Sequence, residues 1–179
     1  MTDSATSKSM IPNGNETRER LIAGARDTFH ANGVGATALA DIADASGVPV
    51  GNIYYHFKTK ADLAGPVERL CALVDSWAEL APTVSAEGCP HGSLCQELNK
   101  SAAAESNAAS RLLAQPLEWI RSQFGELHRD DAAQLAVALL GSFQGVSLLA
   151  NTLSDPDLMY DEALRLKKWI TSMALDDPR

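Results

Sequence analysis

Apolar residues recur at helical spacing along much of the chain. The clearest stripe has apolar residues alternately four and three positions apart, at Leu113, Leu117, Ile120, Phe124 and Leu127. This spacing places all of these side chains on one face of an α-helix. No segment of the sequence alternates polar and apolar residues as a half-buried strand does. The pattern therefore predicts an all-α fold.

Turn-forming residues divide the first third of the chain into short helices, which we predict over residues 17–31, 37–45 and 49–57. Gly33 and Gly47 follow the first two helices, where glycine supplies a left-handed C-cap. Thr59, with Asp62 three residues further on, has the pattern of an N-cap. It predicts a fourth helix that begins after Thr59 and runs past Trp77.

The sequence divides into a polar tail over residues 1–15, a three-helix domain over 16–64 and a helical domain over 65–179. The tail lacks any apolar periodicity, and we expect it to be disordered. Glycines and prolines within residues 83–93 predict a loop or the start of a helix. Pro116 lies within the apolar stripe and predicts a kink or a helix start there. Further helices are predicted over residues 130–152 and 155–173.

The longest uncharged stretch, from Ala132 to Ser154, is long enough to cross a membrane. Polar side chains interrupt it, at Gln134, Ser142, Gln144, Ser147, Asn151 and Thr152. We therefore predict a buried helix and no membrane partner. The polar N-terminus has no apolar signal segment. The odd number of cysteines, three, predicts free thiols in a reducing compartment, the cytoplasm.

The net charge of −8 excludes a globally basic nucleic-acid-binding protein. The charge is unevenly distributed along the chain. Residues 1–64 hold six basic and seven acidic side chains, whereas residues 65–179 hold nine basic and sixteen acidic ones. We therefore expect any contact with an anionic partner in the first third of the chain.

The second and third predicted helices flank a turn that contains Gly47, and this is the helix-turn-helix pattern, in which the second helix enters the DNA major groove. In that helix Ile53 and Phe57 are four apart and form the core face. Gly51 allows close approach to DNA, and Asn52 can contact adenine through two hydrogen bonds. The remaining candidate contacts are Tyr54, Tyr55, His56, Lys58 and Lys60. The half-buried surface of an ordinary helical bundle is the alternative interpretation.

The run from Val50 to Leu63, VGNIYYHFKTKADL, follows DIADASGV at residues 41–48. Together these segments resemble the N-terminal domain of the TetR family of bacterial transcriptional regulators, in particular its multidrug-responsive repressors. The resemblance covers about residues 17–64 and rests on Tyr-x-His-Phe-x-x-Lys in register with Ile-Ala-x-x-x-Gly-Val. It implies a three-helix DNA-binding domain followed by a helical effector-binding and dimerisation domain. It further implies a homodimeric repressor that binds a palindromic operator in double-stranded DNA and is released by a small hydrophobic or aromatic effector.

The resemblance also assigns roles to individual residues of the first domain. Thr37 would begin the second helix near a phosphate and cap that helix. The residues expected at base edges or the groove wall are Val50, Gly51, Asn52 and Tyr55, and those expected at phosphates are Tyr54, His56 and Lys60. The chain departs from many family members at Ala38 and Pro49, where a hydroxyl is common, and at Val50, which is often polar or basic. These departures concern the operator sequence and not DNA binding itself.

The last two helices are implied to pair with their copies as a four-helix bundle. Small residues permit close helix approach along a stripe of Ala138, Gly141 and Gly145. The other predicted interface residues are Leu135, Leu139, Leu149, Trp169 and Ile170. A helix buried within its own chain is the alternative interpretation.

An effector cavity is implied within about residues 65–151, and large aromatic side chains are its candidate lining. These are Trp77, Trp119, Phe124 and Phe143. Core packing accounts for each of them equally well. A kink at Pro116 would open space for such a cavity.

Cys89, His91 and Cys95 offer an alternative regulator that senses thiols or a metal ion. They lie in a segment, residues 88–98, that resembles the start of the fifth helix in one branch of the family. Their spacing matches no standard zinc framework, so we favour small packing residues without a metal. The sequence has no phosphate-binding glycine loop and no H-E-x-x-H or G-x-S-x-G motif, so neither an enzyme nor a cofactor is predicted.

Overall fold

A computed structural model of the chain describes residues 14–100 and 108–175, and this part of the chain contains helices and no strand. The chain divides into two compact units, Met1–Ala64 and Gly65–Arg179. The first unit holds α1 (Gly14–Ala36), α2 (Leu39–Ser46), α3 (Val50–His56) and a 3-10 turn (Lys60–Leu63). The second unit holds α4 (Pro66–Glu79), α5 (Ala81–Glu87), α6 (Pro90–Lys100), α7 (Ala108–Glu126), α8 (Ala132–Leu153) and α9 (Asp157–Leu175). The predicted all-α class is confirmed.

The core of the first unit forms where α1 packs against α2 and the 3-10 turn, and where α3 packs against α2. Its largest side chains are Leu21, Phe29, Ile42, Ile53 and Phe57. A glycine permits the close contact of α1 with α2, because a Cβ built on Gly24 would lie 2.8 Å from the Ser46 backbone nitrogen. The small residue in α1 thus determines how near α2 lies to α1.

Two predicted boundaries in the first unit need correction. The first helix begins at Gly14, inside the predicted tail, of which residues 1–13 lie outside the described part of the chain. Gly33 does interrupt this helix, with φ 79° and ψ 156°, but a further helical segment reaches Ala36. The glycine therefore introduces a kink where the sequence predicted a complete stop.

The segment after Thr59 was predicted as one long helix and is instead a 3-10 turn followed by α4. Thr59 caps the turn, since its hydroxyl accepts a hydrogen bond from the Asp62 N–H at 3.2 Å. The break follows from Pro66, which begins α4. A residue before proline is disfavoured in the helical region, and Gly65 is extended, with ψ 175°.

The second unit is a bundle in which α4 packs on α7 and α9, and α8 packs on α5, α7 and α9. Its main core contains the fully buried residues Leu70, Ile120, Phe124, Leu139 and Ile170. The segment predicted as a loop or helix start, residues 83–93, contains the start of α6 at Pro90, as predicted, and also the end of α5, which reaches Glu87. Ala81 and Val84 bury this short helix against the second core cluster of the unit.

The long apolar helix α8 is long and apolar enough to cross a membrane, a property that the core helices of soluble proteins share. Only 22% of its most apolar 18-residue window is buried within the chain. The predicted burial is therefore confirmed for one face, that of Ala136, Leu139, Phe143, Ser147 and Ala150. The other face exposes large apolar side chains at Val137, Leu148, Leu149 and Leu153.

Candidate nucleic-acid interface and ligand cavity

The turn between α2 and α3 is fixed by its own backbone and by one arginine. Gly47 ends α2 in the left-handed conformation, with φ 63° and ψ 28°. The Arg20 guanidinium donates to the carbonyls of Ser46, at 2.8 Å, and Gly47, at 3.1 Å. Helix α3 then begins after Pro49, and its Ile53 side chain is buried in the core. These contacts set the direction in which α3 presents its outer face.

That outer face carries most of the predicted DNA contacts. The exposed residues on and beside α3 are Val50, Gly51, Asn52, Tyr54, Tyr55 and Lys58, and His56 is half-buried. Tyr55 is the most open of the large side chains, with 87% of its surface exposed. Residues 49–61 contain no acidic side chain. The face therefore combines hydrogen-bonding groups with a nearby lysine and without a carboxylate that would repel phosphate.

Asp62, the first acidic residue after α3, binds backbone N–H groups of the segment that follows this helix. The Asp62 carboxylate accepts hydrogen bonds from the backbone N–H groups of Thr59, at 2.9 Å, and Lys58, at 3.1 Å. The hydrogen bonds from Thr59 and Lys58 hold the pKa of Asp62 below its ordinary value. The carboxylate thus stabilises the segment that carries Lys58.

Lys60 ties the 3-10 turn to the segment before α2. Its ammonium donates to the carbonyls of Gly35, at 3.0 Å, and Thr37, at 2.9 Å. Two of the three ammonium N–H groups are therefore engaged within the domain. Lys60 is half-buried, and it positions this edge of the domain in addition to carrying charge.

The predicted role of Thr37 is wrong. Only 2% of Thr37 is exposed, and its hydroxyl donates to the Gly33 carbonyl at 2.7 Å. The hydroxyl therefore faces the interior and cannot hold a phosphate. It does not cap α2 either, because the N-cap residue is Ala38 and the Thr37 hydroxyl is bonded to carbonyls of α1.

A cavity of about 450 Å³ lies within the second unit, between α4, α6, α7 and α8. Its lining residues are mainly apolar: Leu73, Trp77, His91, Leu113, Gln115, Pro116, Trp119, Leu140, Phe143 and Gln144. Trp77 stacks on Phe143 with 4.3 Å between ring centroids. The volume lies within the range of about 300–1,000 Å³ that small-molecule sites occupy.

Three of the four aromatic residues predicted for the cavity lie in its wall, and Phe124 does not. Phe124 is fully buried in the main core, where its ring lies 6.0 Å from that of Trp169. The sequence prediction missed the polar lining residues His91, Gln115 and Gln144. The position of Gln115, next to the predicted kink at Pro116, was the available signal for one of them.

The cysteine segment next to this cavity is packed as small core residues. Cys89 and Cys95 are buried and unpaired. The Cys89 sulfur lies 3.6 Å from the Gln144 side-chain nitrogen, and the Cys95 sulfur 3.6 Å from the Ala109 carbonyl oxygen. Within residues 14–100 and 108–175, no three potential metal ligands come together. In this structure Cys89, His91 and Cys95 therefore do not form a three-ligand cluster.

The predicted dimer interface separates into exposed and buried residues. Ala138, Gly141, Gly145 and Leu149 of α8 are exposed, and Leu135 and Trp169 are half-buried. A Cβ on Gly141 or Gly145 would meet no atom within 4 Å, so the helix surface is open there. Leu139 and Ile170 are fully buried in the main core and cannot contact a second chain. Further large apolar residues exposed on α8 and α9 are Val137, Leu148, Leu153, Tyr160 and Leu164.

The fold and the face of α3 together define an all-α protein with a helix-turn-helix domain. Residues 21–65 match the family described as bacterial regulatory proteins, tetR family. HTH-type transcriptional regulator TtgR of Pseudomonas putida is 45% identical over 64 residues, which are 36% of this chain and 28% of TtgR. The regulator AcrR of Shigella flexneri is 44% identical over 55 residues, or 31% of this chain and 26% of AcrR. The N-terminal domain of this chain therefore matches the TetR family, and the chain spans less than a third of the length of these two regulators.

The likeness to a solved structure extends beyond that domain. A TetR transcriptional regulator from Chloroflexus aurantiacus aligns with a TM-score of 0.53 over 88% of this chain and 96% of its own. The two sequences are 24% identical, so the likeness shows the fold of the helical second unit and leaves its ligand open.

Proposed function

We propose that this chain is a transcriptional regulator, and not an enzyme, that binds an operator in double-stranded DNA through α3 and represses transcription. The observation that carries the proposal is the exposed, acid-free outer face of α3, whose inner face is buried in the core of the first unit. The names of the relatives matched by the N-terminal domain, HTH-type transcriptional regulators, support it. The repressing role rests on the family resemblance. We propose that the regulator acts in the cytoplasm.

The side chains of α3 divide into base readers and phosphate contacts. Asn52 makes paired hydrogen bonds to an adenine, and Val50 contacts a thymine methyl group. Tyr55 contacts base edges or the groove wall, and Tyr54 and Lys58 contact phosphates, with His56 at the edge of the same face. Gly51 carries no side chain and allows the helix backbone to approach the groove. Lys60 acts mainly by holding the edge of the domain in place.

Two copies of the chain bind one operator, and the exposed stripe of α8 with the neighbouring face of α9 forms their interface. The stripe joins small residues, Gly141 and Gly145, to exposed leucines such as Leu149. An exposed apolar area of this kind is typical of a protein interaction surface. A two-fold dimer places two recognition helices about 34–36 Å apart on successive major grooves.

The cavity between α4, α6, α7 and α8 receives a small hydrophobic or aromatic effector. Binding favours the conformation of the dimer in which the two recognition helices no longer match successive grooves. A coupling of about 1–3 kcal/mol changes operator affinity by about 5–150-fold. Release of the operator follows from the difference in effector affinity between the two conformations.

The DNA-binding role is tested by Gly51→Ala, with Gly125→Ala as the matched control. Both glycines are helical and exposed, and a Cβ on either meets no atom within 4 Å. Neither change should lower the melting temperature, because alanine favours a helix over glycine. Gly51→Ala alone should weaken binding at least tenfold to a labelled duplex selected from a random palindromic pool, measured by fluorescence polarisation. Equal affinities of the two variants, or no DNA binding by the wild type at low salt, would refute the proposal.

The dimer interface is tested by Leu149→Glu, with Leu94→Glu as control. The two leucines are 54% and 45% exposed, but only Leu149 lies on the α8 stripe. Sedimentation should give a dimer for the wild type and for Leu94→Glu, and a monomer for Leu149→Glu. Operator affinity should fall with the monomer. A Leu149→Glu variant that remains dimeric would contradict this interface.

A further inference from the structure

The wall of the effector cavity is almost free of charge. Among the described residues that line it there is no aspartate, glutamate, lysine or arginine, although the second domain is rich in acidic residues. A charged molecule in this space gains no counter-ion from these described side chains, and the water that it loses on contact with the apolar wall opposes its binding. His91 is the one described lining side chain that can become charged.

Aromatic rings supply much of the contact surface. Trp77 and Phe143 stack almost in parallel, with an interplanar angle of 16°, so one face of each ring is already occupied. Trp119 lines the same cavity from α7 and is 40% exposed. A cation would gain some attraction to a free ring face, but this gain is smaller than the desolvation penalty. Aromatic ligands gain area and ring contacts without that penalty.

Neutral polar groups complete the lining. The amides of Gln115 and Gln144 offer both donors and acceptors. Gln144 is held in place, because its side-chain nitrogen contacts the Cys89 sulfur at 3.6 Å. The side-chain oxygen of Gln144 lies against Gly92, because a Cβ built on Gly92 would be 2.6 Å from this oxygen. Gln144 therefore connects the cavity to the first turn of α6.

We propose that the effector is an uncharged aromatic molecule with a hydrogen-bonding substituent, recognised by the stacked aromatic wall and the two glutamine amides. The inference rests on the effector role proposed above and narrows the class of effector.

The test uses three probes that share one ring system and differ in charge: 2-naphthol, 2-naphthoate and 2-naphthyltrimethylammonium. Titration calorimetry on the full-length protein should give at least tenfold tighter binding for 2-naphthol than for either ion. If 2-naphthoate bound as tightly as 2-naphthol or more tightly, recognition would be assigned to His91. If the ammonium probe did so, recognition would be assigned to the faces of the aromatic rings. Either result, or the binding of none of the three probes, would overturn the inference.

A charge-introducing variant tests the position of the ligand. Gln115→Glu places a carboxylate in the cavity lining and should raise the affinity for the ammonium probe at least threefold. The control, Gln96→Glu, makes the same charge change at an exposed position of α6 that does not line the cavity, and it should leave this affinity unchanged. Equal effects of the two variants would place the ligand elsewhere. Operator binding by the same samples without probe separates the proposals. If DNA is bound but no probe preference is seen, only the effector class is refuted.

Discussion

Replacement of Gly24 by alanine tests how the DNA-binding domain is held together. Gly24 lies in the middle of α1, where this helix meets the end of α2. An alanine Cβ would lie 2.8 Å from the Ser46 nitrogen, 2.9 Å from its Cβ and 3.1 Å from its Cα. Two of these three atoms belong to the backbone, so no side-chain rotation relieves the contact. The helices must separate or tilt by several tenths of an ångström.

The expected destabilisation is the balance of two opposing effects. Overpacking of a close contact costs about 1–3 kcal/mol. Alanine in place of glycine within a helix gains up to about 1 kcal/mol. Because the clash involves backbone, the first effect is expected in its upper range, which leaves a net loss of about 1–2 kcal/mol. This corresponds to an increase of about 5–30-fold in the opened fraction of the domain.

Hydrogen exchange measured by mass spectrometry reports this change where it occurs. Amides of α2 in Gly24→Ala should exchange about 5–30-fold faster than in the wild type. Tryptophan fluorescence follows the second unit separately, because all three tryptophans, Trp77, Trp119 and Trp169, lie there. Its unfolding transition should not move. Gly35→Ala in the same helix is the control, since a Cβ there meets no atom within 4 Å. Unchanged exchange in Gly24→Ala would refute the packing argument.

Three further outcomes are expected. Thr37→Val should reduce the free energy of unfolding by about 1 kcal/mol and leave the operator affinity of the folded protein unchanged. Weaker DNA binding with a shallower salt dependence would instead show that Thr37 contacts a phosphate. Burial raises the pKa of the Cys71 thiol to about 11 from 9.0. As the pH rises, the thiol of the unfolded chain ionises before that of the folded chain. The free energy of unfolding of the wild type should therefore fall between about pH 9 and 11, relative to that of Cys71→Ala. Hydrogen bonds lower the pKa of Asp62 from 3.8. The protection of the Lys58 and Thr59 amides from exchange should therefore be absent in Asp62→Ala, which has no acceptor, and should weaken in the wild type as the pH falls below 3.8 and the carboxylate is protonated.

The helix-turn-helix was predictable because its signals are local. Gly47 requires a positive φ, and the spacing of Ile53 and Phe57 selects the core face of α3 whatever the rest of the chain does. The residues of α3 that lie off this core face then form its outer face. The direction of the Thr37 side chain was not predictable, because it depends on the Gly33 carbonyl at the kink of α1.

The cavity shows the limit of composition as a guide. Trp119 and Phe124 both belong to α7 and are equally plausible lining residues by size. They are five positions apart, which is well over one helical turn, and they therefore face different neighbours. Trp119 reaches the cavity, whereas Phe124 lies fully buried beside Trp169. Only the packing of α7 on α8 and α4 distinguishes them.

The same reasoning explains why part of the predicted dimer interface was misassigned. Ala138 and Leu139 are adjacent on α8, and one residue turns the helix by about 100°. Because α8 is apolar on both sides, its sequence has no polar face to mark which side meets the bundle. Contacts with α5, α7 and α9 make that choice, burying Leu139 and leaving Ala138, Gly141 and Gly145 open. The open side of α8 leaves apolar side chains in water, and the dimer proposed above would cover them with the same face of a second copy of the chain.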